Sequence, residues 1–217
     1  MDSVFGFVGA DYALIAADRG QARSIQVLKS DQDKSFPLDQ NKLLVCSGDA
    51  GDRDQFCEYI QKNIHLERFR GSRALSTHAT AHRIRNELAH ALRHGPYNVN
   101  LLLAGFDSAP VSASSPSSSS SSSSSPAPSG TPSLWFIDYL ASAQKLNFAV
   151  HGHAAYFLMS VLDKNYRAGL TLDEGIELVK LLIHELSVRY LVKHRSFLIK
   201  IVNAEGNTRE IIIDGEQ

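Results

Sequence analysis

Cysteine is scarce in this chain. Cys46 and Cys57 are the two thiols in 217 residues, which suits neither a disulfide framework nor a metal site with C-x-x-C spacing. Charge of either sign is not in excess: 22 Lys and Arg against 23 Asp and Glu leave a formal net charge of −1. With no long basic run, nucleic acid has no electrostatic footprint to meet. No segment approaches the roughly 18 consecutive apolar residues that mark a membrane span. The first residues lack a basic segment followed by an apolar run, so no secretory leader is expected in them. No G-x-x-x-x-G-K phosphate loop occurs. These absences leave a soluble protein of a reducing compartment, expected in the cytoplasm and nucleus, with no nucleic-acid, membrane or cofactor signature.

What is present is ordinary core material. Apolar residues make up 43% and charged residues 21%, enough for a single domain spanning 1–217 with a sizeable interior. Ser3 to Phe7 and Ala13 to Ala17 are short apolar runs around Gly9-Ala10-Asp11, which predicts a hairpin. Ile25 to Leu28 suggests a short strand, and KLLVC at 42–46 a buried one. From Asp52 to Phe69 the period becomes helical, carried by Phe56, Tyr59, Ile60 and Ile64. A second helix is predicted over Thr77 to Arg93 on Ala81, Ile84, Leu88 and Leu92, stopped at Gly95-Pro96. Strands are predicted at Asn98 to Gly105 and Leu134 to Tyr139.

Between those two strands the composition breaks. Serine is unbroken from Ser117 to Ser125, in a stretch made almost wholly of Ser, Pro, Ala and Gly. Such a segment cannot bury enough apolar surface to offset its ordering entropy. It is expected to be a disordered loop insertion at about 110–132, which a hairpin tolerates at small entropic cost.

The second half repeats the order of the first. Phe148 to Val150 reads as a strand and Ala155 to Tyr166 as a helix. Thr171 and Glu174 form a capping-box signature ahead of Ile176, Leu178, Val179, Leu182, Ile183 and Leu186. Ser196 to Val202 and Arg209 to Ile213 predict a closing hairpin. Helices come in pairs and strands in hairpins, which favours antiparallel sheets over an alternating parallel fold. Two sheets face to face with one helix pair on each outer side bury every apolar stripe.

That order and several local motifs resemble the beta family of the 20S proteasome. The motifs are DYALIAADRG (11–20), DKSFPLDQNKLLVCSGDAGD (33–52), QFCEYIQKNIHLERFR, YNVNLLLAGFD, LWFIDYL and AVHGHAAYFLMSVLDKNY. The likeness covers the chain except about 110–132, and is closest to the non-catalytic members. It implies an α+β fold, the four-layer αββα sandwich of N-terminal-nucleophile hydrolases. It also implies partners: other beta and alpha subunits in a 28-subunit barrel, with no small-molecule substrate of the chain's own.

Hydrolysis in that family needs a hydroxyl or thiol on the first mature residue, a base, a tuning Lys and Asp, and an oxyanion donor. By the resemblance, Asp18 stands for the strand aspartate, Lys34 for the catalytic lysine and Gly48 for the N–H donor. Asp2 stands where the threonine belongs. No Thr precedes Thr77, no Cys precedes Cys46, and no propeptide is expected ahead of Asp2. Ser3 has a hydroxyl, but one residue out of register it faces the other side of the strand. The helix end where active members carry an Asp falls near Tyr190, and the position of a serine beside the N-terminus near His153. The expectation is therefore no catalytic residue, with Asp2, Asp18, Lys34 and Gly48 as vestigial positions and Asp18–Lys34 as a structural ion pair. The expected function is a structural subunit supporting ubiquitin-dependent degradation by catalytic neighbours. An active hydrolase using another residue, or an assembly factor, stays open.

No metal or cofactor is expected. His151-Gly152-His153 supplies two ligands without a third. His78/His82 and His90/His94 sit at i, i+4 steps and predict two shared patches on a solvated or interface face. Trp135 and Phe136 alternate along a strand and read as anchors.

Overall fold

The computed structural model describes residues 2–23, 26–71, 74–108 and 130–215. The elements in order are β1 (Ser3–Val8), β2 (Tyr12–Asp18), β3 (Gln21–Arg23), β4 (Gln26–Lys29), β5 (Ser35–Asp39), β6 (Lys42–Gly48), α1 (Ala50–Gly71) and α2 (Thr77–Ala91). They continue with β7 (Val99–Ser108), β8 (Gly130–Ile137), β9 (Ala143–Leu146), β10 (Phe148–Gly152), α3 (Ala155–Asn165), α4 (Leu172–Arg189), β11 (Ser196–Asn203) and β12 (Gly206–Asp214).

Two five-stranded antiparallel sheets form, in the orders β10-β1-β2-β11-β12 and β5-β6-β7-β8-β9, beside the small β3-β4 ribbon. Period-2 alternation sorts each strand's side chains into layers. In β1 and β2, Phe5, Phe7, Tyr12, Leu14 and Ala16 join Leu158, Leu162, Leu178, Leu182 and Leu186 of α3 and α4. In β6 and β7, Leu44, Cys46, Val99, Leu101 and Leu103 join Phe56, Ile60, Ile84 and Leu88 of α1 and α2. The alternate residues Val4, Ala13, Ile15, Leu43, Val45, Leu102 and Ala104 meet between the sheets. Three apolar clusters between four layers, two of helices and two of strands, are the expected αββα sandwich. A fully buried Leu or Ile contributes about 1.5–3 kcal/mol, so each layer is a large driving force.

Local chemistry agrees with the helix limits. Thr171 accepts from the Glu174 N–H at 3.5 Å while Glu174 Oε2 accepts from Thr171 N at 3.0 Å, the reciprocal capping box. Ser76 caps α2 through the Ala79 N–H at 3.2 Å. Gly9 N donates to the Tyr12 carbonyl at 2.8 Å and closes the first hairpin.

Several boundaries and strands differ from expectation. Gly130 to Pro132 belong to β8, in register with Ser108 to Phe106, rather than to the insertion. The flanking hairpin recruits them because β7 runs on to Ser108 and offers each a partner. The remainder of the insertion, 109–129, lies outside the described residues, as does Ile25 of the expected 25–28 strand. Strands β3, β5 and β9 fall outside the expected elements; β5 carries Pro37 and a register shift, and β9 is the short polar edge AQKL. The latter two are edge strands, where Pro and polar residues are tolerated.

Candidate functional site

The four positions that the resemblance singles out, Asp2, Asp18, Lys34 and Gly48, converge at one end of the sandwich, where β1 enters and β6 leaves. Lys34 precedes β5 and is held beside β6 by its carbonyl, which accepts the Cys46 N–H at 3.1 Å. Its side chain is wholly buried. Lys34 Nζ lies 2.8 Å from both oxygens of Asp18 and 2.8 Å from Asp2 Oδ1. Asp18 also accepts the Ser3 N–H at 2.8 Å and the Gly20 N–H at 3.1 Å. Asp2 Oδ2 accepts the Gly48 N–H at 3.1 Å.

Backbone chemistry makes this junction. Gly48 has φ +127°, and a Cβ there would stand 2.2 Å from the Asn98 carbonyl oxygen. A glycine is therefore required, and its N–H is aimed by that backbone. Gly152, at φ +80°, lets the Asp2 carbonyl pass where a Cβ would stand 2.0 Å away. Burial pushes the Asp2 carboxyl up, but the Lys34 charge, the Lys34 hydrogen bond and the Gly48 N–H outweigh it and hold the group below its ordinary value. Asp2 is an ionised carboxylate at neutral pH.

Ser3 turns to the opposite face, as register demands. Its hydroxyl shares a 2.8 Å hydrogen bond with His194 Nε2. His194 Nδ1 stands 3.6 Å from Asp18 Oδ2, beyond hydrogen-bonding distance. Burial holds His194 below its ordinary pKa, against the pull of Asp18. Ser3 is completely buried. The three groups have the identities of a hydrolytic triad without its geometry: the base is unaligned and the hydroxyl is closed off. They tie β1 to the segment after α4. His194 escaped sequence reasoning because it lies 191 residues from Ser3 in a loop with no periodicity.

Tyr190 caps the end of α4, as the resemblance expected, and its hydroxyl has no hydrogen-bond partner among the described residues. Burial, then Asp18 and Asp2, push that phenol up, so no carboxylate or phenolate is supplied there. His153 lies exposed in the turn before α3. His151 turns into the sheet interface, stacks on Phe136 at 4.1 Å and donates Nε2–H to the Leu101 carbonyl at 3.0 Å. Burial drives its pKa to about 4, so it stays neutral.

His78 and His82 flank Trp135 with ring centroids 5.3 and 5.7 Å from it. His90 and His94 form the second pair, 5.1 Å apart. Among the described residues no group of three or more His, Cys, Asp or Glu is placed to hold a metal ion. Cys46 and Cys57 are free and buried, and burial pushes the Cys46 thiol up, away from a thiolate nucleophile. No helix of the described residues is long and apolar enough to cross a membrane.

Comparison with known proteins agrees over nearly the whole chain. The family described as "Proteasome subunit" matches residues 2–121 and 126–202, and the gap falls in the serine tract. "Proteasome subunit beta type-2" of Oryza sativa subsp. japonica is 44% identical over 206 residues, covering 95% of this chain and 88% of its own length. The protein of the same description in Dictyostelium discoideum is 41% identical, covering 95% of both chains. "Proteasome subunit beta type-4" of Saccharomyces cerevisiae is 34% identical, again over 95% of both.

Proposed function

The chain belongs to the proteasome subunit family, and on that premise we propose that it is a non-catalytic beta subunit of the 20S core particle. It is a structural member of the ring and supports degradation performed by catalytic neighbours. The observation that carries the non-catalytic part is the identity and contacts of residue 2. Where the family resemblance calls for a nucleophilic hydroxyl, an ionised carboxylate stands 2.8 Å from Lys34 Nζ and 3.1 Å from the Gly48 N–H. A carboxylate so paired is a weak nucleophile, and it takes both the lysine and the donor that an acyl-transfer step would use.

The partners proposed are alpha and beta subunits in a 28-chain barrel, in cytoplasm and nucleus. Asp18 and Lys34 serve there as the ion pair that seats the N-terminal hairpin. The test is a particle purified with this chain and treated with a peptide epoxyketone, followed by mass spectrometry of every subunit. Adducts are expected on catalytic subunits and none on this one. An adduct on its N-terminal peptide overturns the reading, and so does a native protein that runs as a monomer.

A further inference from the structure

We infer that Lys34 and Gly48 form a binding notch for one small carboxylate, which the Asp2 side chain fills as an internal ligand. The two donors come from different parts of the chain and meet different oxygens of the same group. Nζ reaches Oδ1 at 2.8 Å and the Gly48 N–H reaches Oδ2 at 3.1 Å. A planar anion with two equivalent oxygens satisfies both, and a halide has one centre to offer.

The notch is built rather than improvised by Asp2. Lys34 is fixed from its other side by Asp18, which meets it with both oxygens at 2.8 Å. Asp18 is itself fixed by the N–H groups of Ser3 and Gly20. Gly48 has its N–H aimed by a backbone conformation that glycine alone adopts readily, and the next residue is pinned by Asp49 N donating to the Asn98 carbonyl at 3.0 Å. Removing the Asp2 carboxylate leaves Lys34 with Asp18 as its remaining partner and turns the Gly48 N–H, on an exposed residue, toward solvent, so two positioned donors face an opening that a small anion can enter. The notch opens to solvent on the Asp2 side: that side chain is 12% exposed and that of Lys34 is 0% exposed.

This inference stands beside the proposed function rather than on it. It concerns which anion the donors hold, whether or not any subunit performs chemistry. Its consequence is that the oxyanion-type donor is occupied by the chain itself, so an incoming carbonyl meets a filled site.

The test is size-matched chemical rescue in the full-length chain. Asp2→Ala removes the equivalent of formate, and Asp2→Gly the equivalent of acetate. With formate replacing chloride at constant ionic strength, the Asp2→Ala melting temperature is expected to rise by about 3–5 °C near ten times Kd. Acetate is expected to act on Asp2→Gly and to act less on Asp2→Ala. The wild type and Asp2→Asn, whose notch stays filled, are expected to respond to neither. The inference is overturned if formate does no more than chloride for Asp2→Ala, folded or not, or if Asp2→Asn responds equally. Failure here leaves the epoxyketone result untouched, and an epoxyketone adduct leaves the rescue result untouched.

Discussion

Strand β6 has a buried lysine at either end, and the two are treated differently. At its Gly48 end, Lys34 lies 2.8 Å from two carboxylates, Asp2 and Asp18, neither of which is paired with another lysine or arginine among the described residues. At its start, the Lys42 side chain is 2% exposed, 3.9 Å from Asp39 Oδ2 and 2.9 Å from Asn41 Oδ1. Asp39 there is shared with Arg68. Burial pushes Lys42 below its ordinary pKa, against the pull of Asp39 and Asp107. Burying a charge is tolerable only when partners replace the lost water. Lys34 has become the hub on which other buried charges depend. Lys42 is an amphipathic side chain at the end of a strand, and its carboxylate has a second cation.

The largest expected effect follows from that dependence. Lys34→Met strands the buried Asp18 carboxylate and the partly buried Asp2 carboxylate at once, and breaking a buried pair typically costs about 3–5 kcal/mol. Urea unfolding at neutral pH measures it. A loss below about 1 kcal/mol would mean that Asp2 and Asp18 are rehydrated without cost, and the comparison between the two ends would fail.

Acid should strike the same end next. His151, two rungs from Asp2 on the neighbouring strand, is held at about 4 against an ordinary 6.5 by burial, over the opposing pull of the Leu101 carbonyl. The unfolded chain takes a proton that the folded chain refuses. Stability is thus complete above about 6.5 and falls as pH drops toward 4, by roughly 3 kcal/mol. His194, lowered by burial, adds loss in the same direction. Asp2, whose pKa is lowered from 3.8, contributes stability present above that value and lost as pH falls through its folded pKa. Urea midpoints between pH 7 and pH 4 test the first stage; a flat profile contradicts it.

Legibility in the sequence divides along similar lines. Helices were readable because Ile176, Leu178, Val179, Leu182, Ile183 and Leu186 repeat at helical spacing and Thr171 with Glu174 marks the start. The layers were readable because residues 12–17 alternate between two apolar faces rather than between apolar and polar. The edge strands were not, since AQKL and a Pro-bearing SFPLD carry their pairing in a neighbour's exposed backbone rather than in their own side chains. At the site, the resemblance singles out Asp18, Lys34 and Gly48, and the structure brings all three to the Asp2 side chain or its lysine partner. His194 and the dual contact of Asp2 were invisible, because hydrogen bonds across 191 and 46 residues leave no local pattern.

The smallest effect should come from the other lysine, and it is the one that separates burial from dependence. Lys42→Met keeps an unbranched side chain in the same buried slot, and Asp39 retains Arg68. The lost attraction and the relieved desolvation oppose one another, so the change at neutral pH should stay within about 1 kcal/mol. The pH dependence carries the sign. Because the folded pKa of Lys42 lies below its ordinary 10.5, the unfolded chain holds the proton more tightly, and the charged lysine works against folding. As pH rises through the folded value toward 10.5, the wild type sheds that penalty and gains stability relative to Lys42→Met. Parallel unfolding curves for the two proteins at pH 7 and pH 10 should therefore show the wild type improving against the variant. A wild type that instead loses ground to Lys42→Met on alkalinisation would show that the charge of Lys42 favours the folded state, and the contrast between the two ends of β6 would fail.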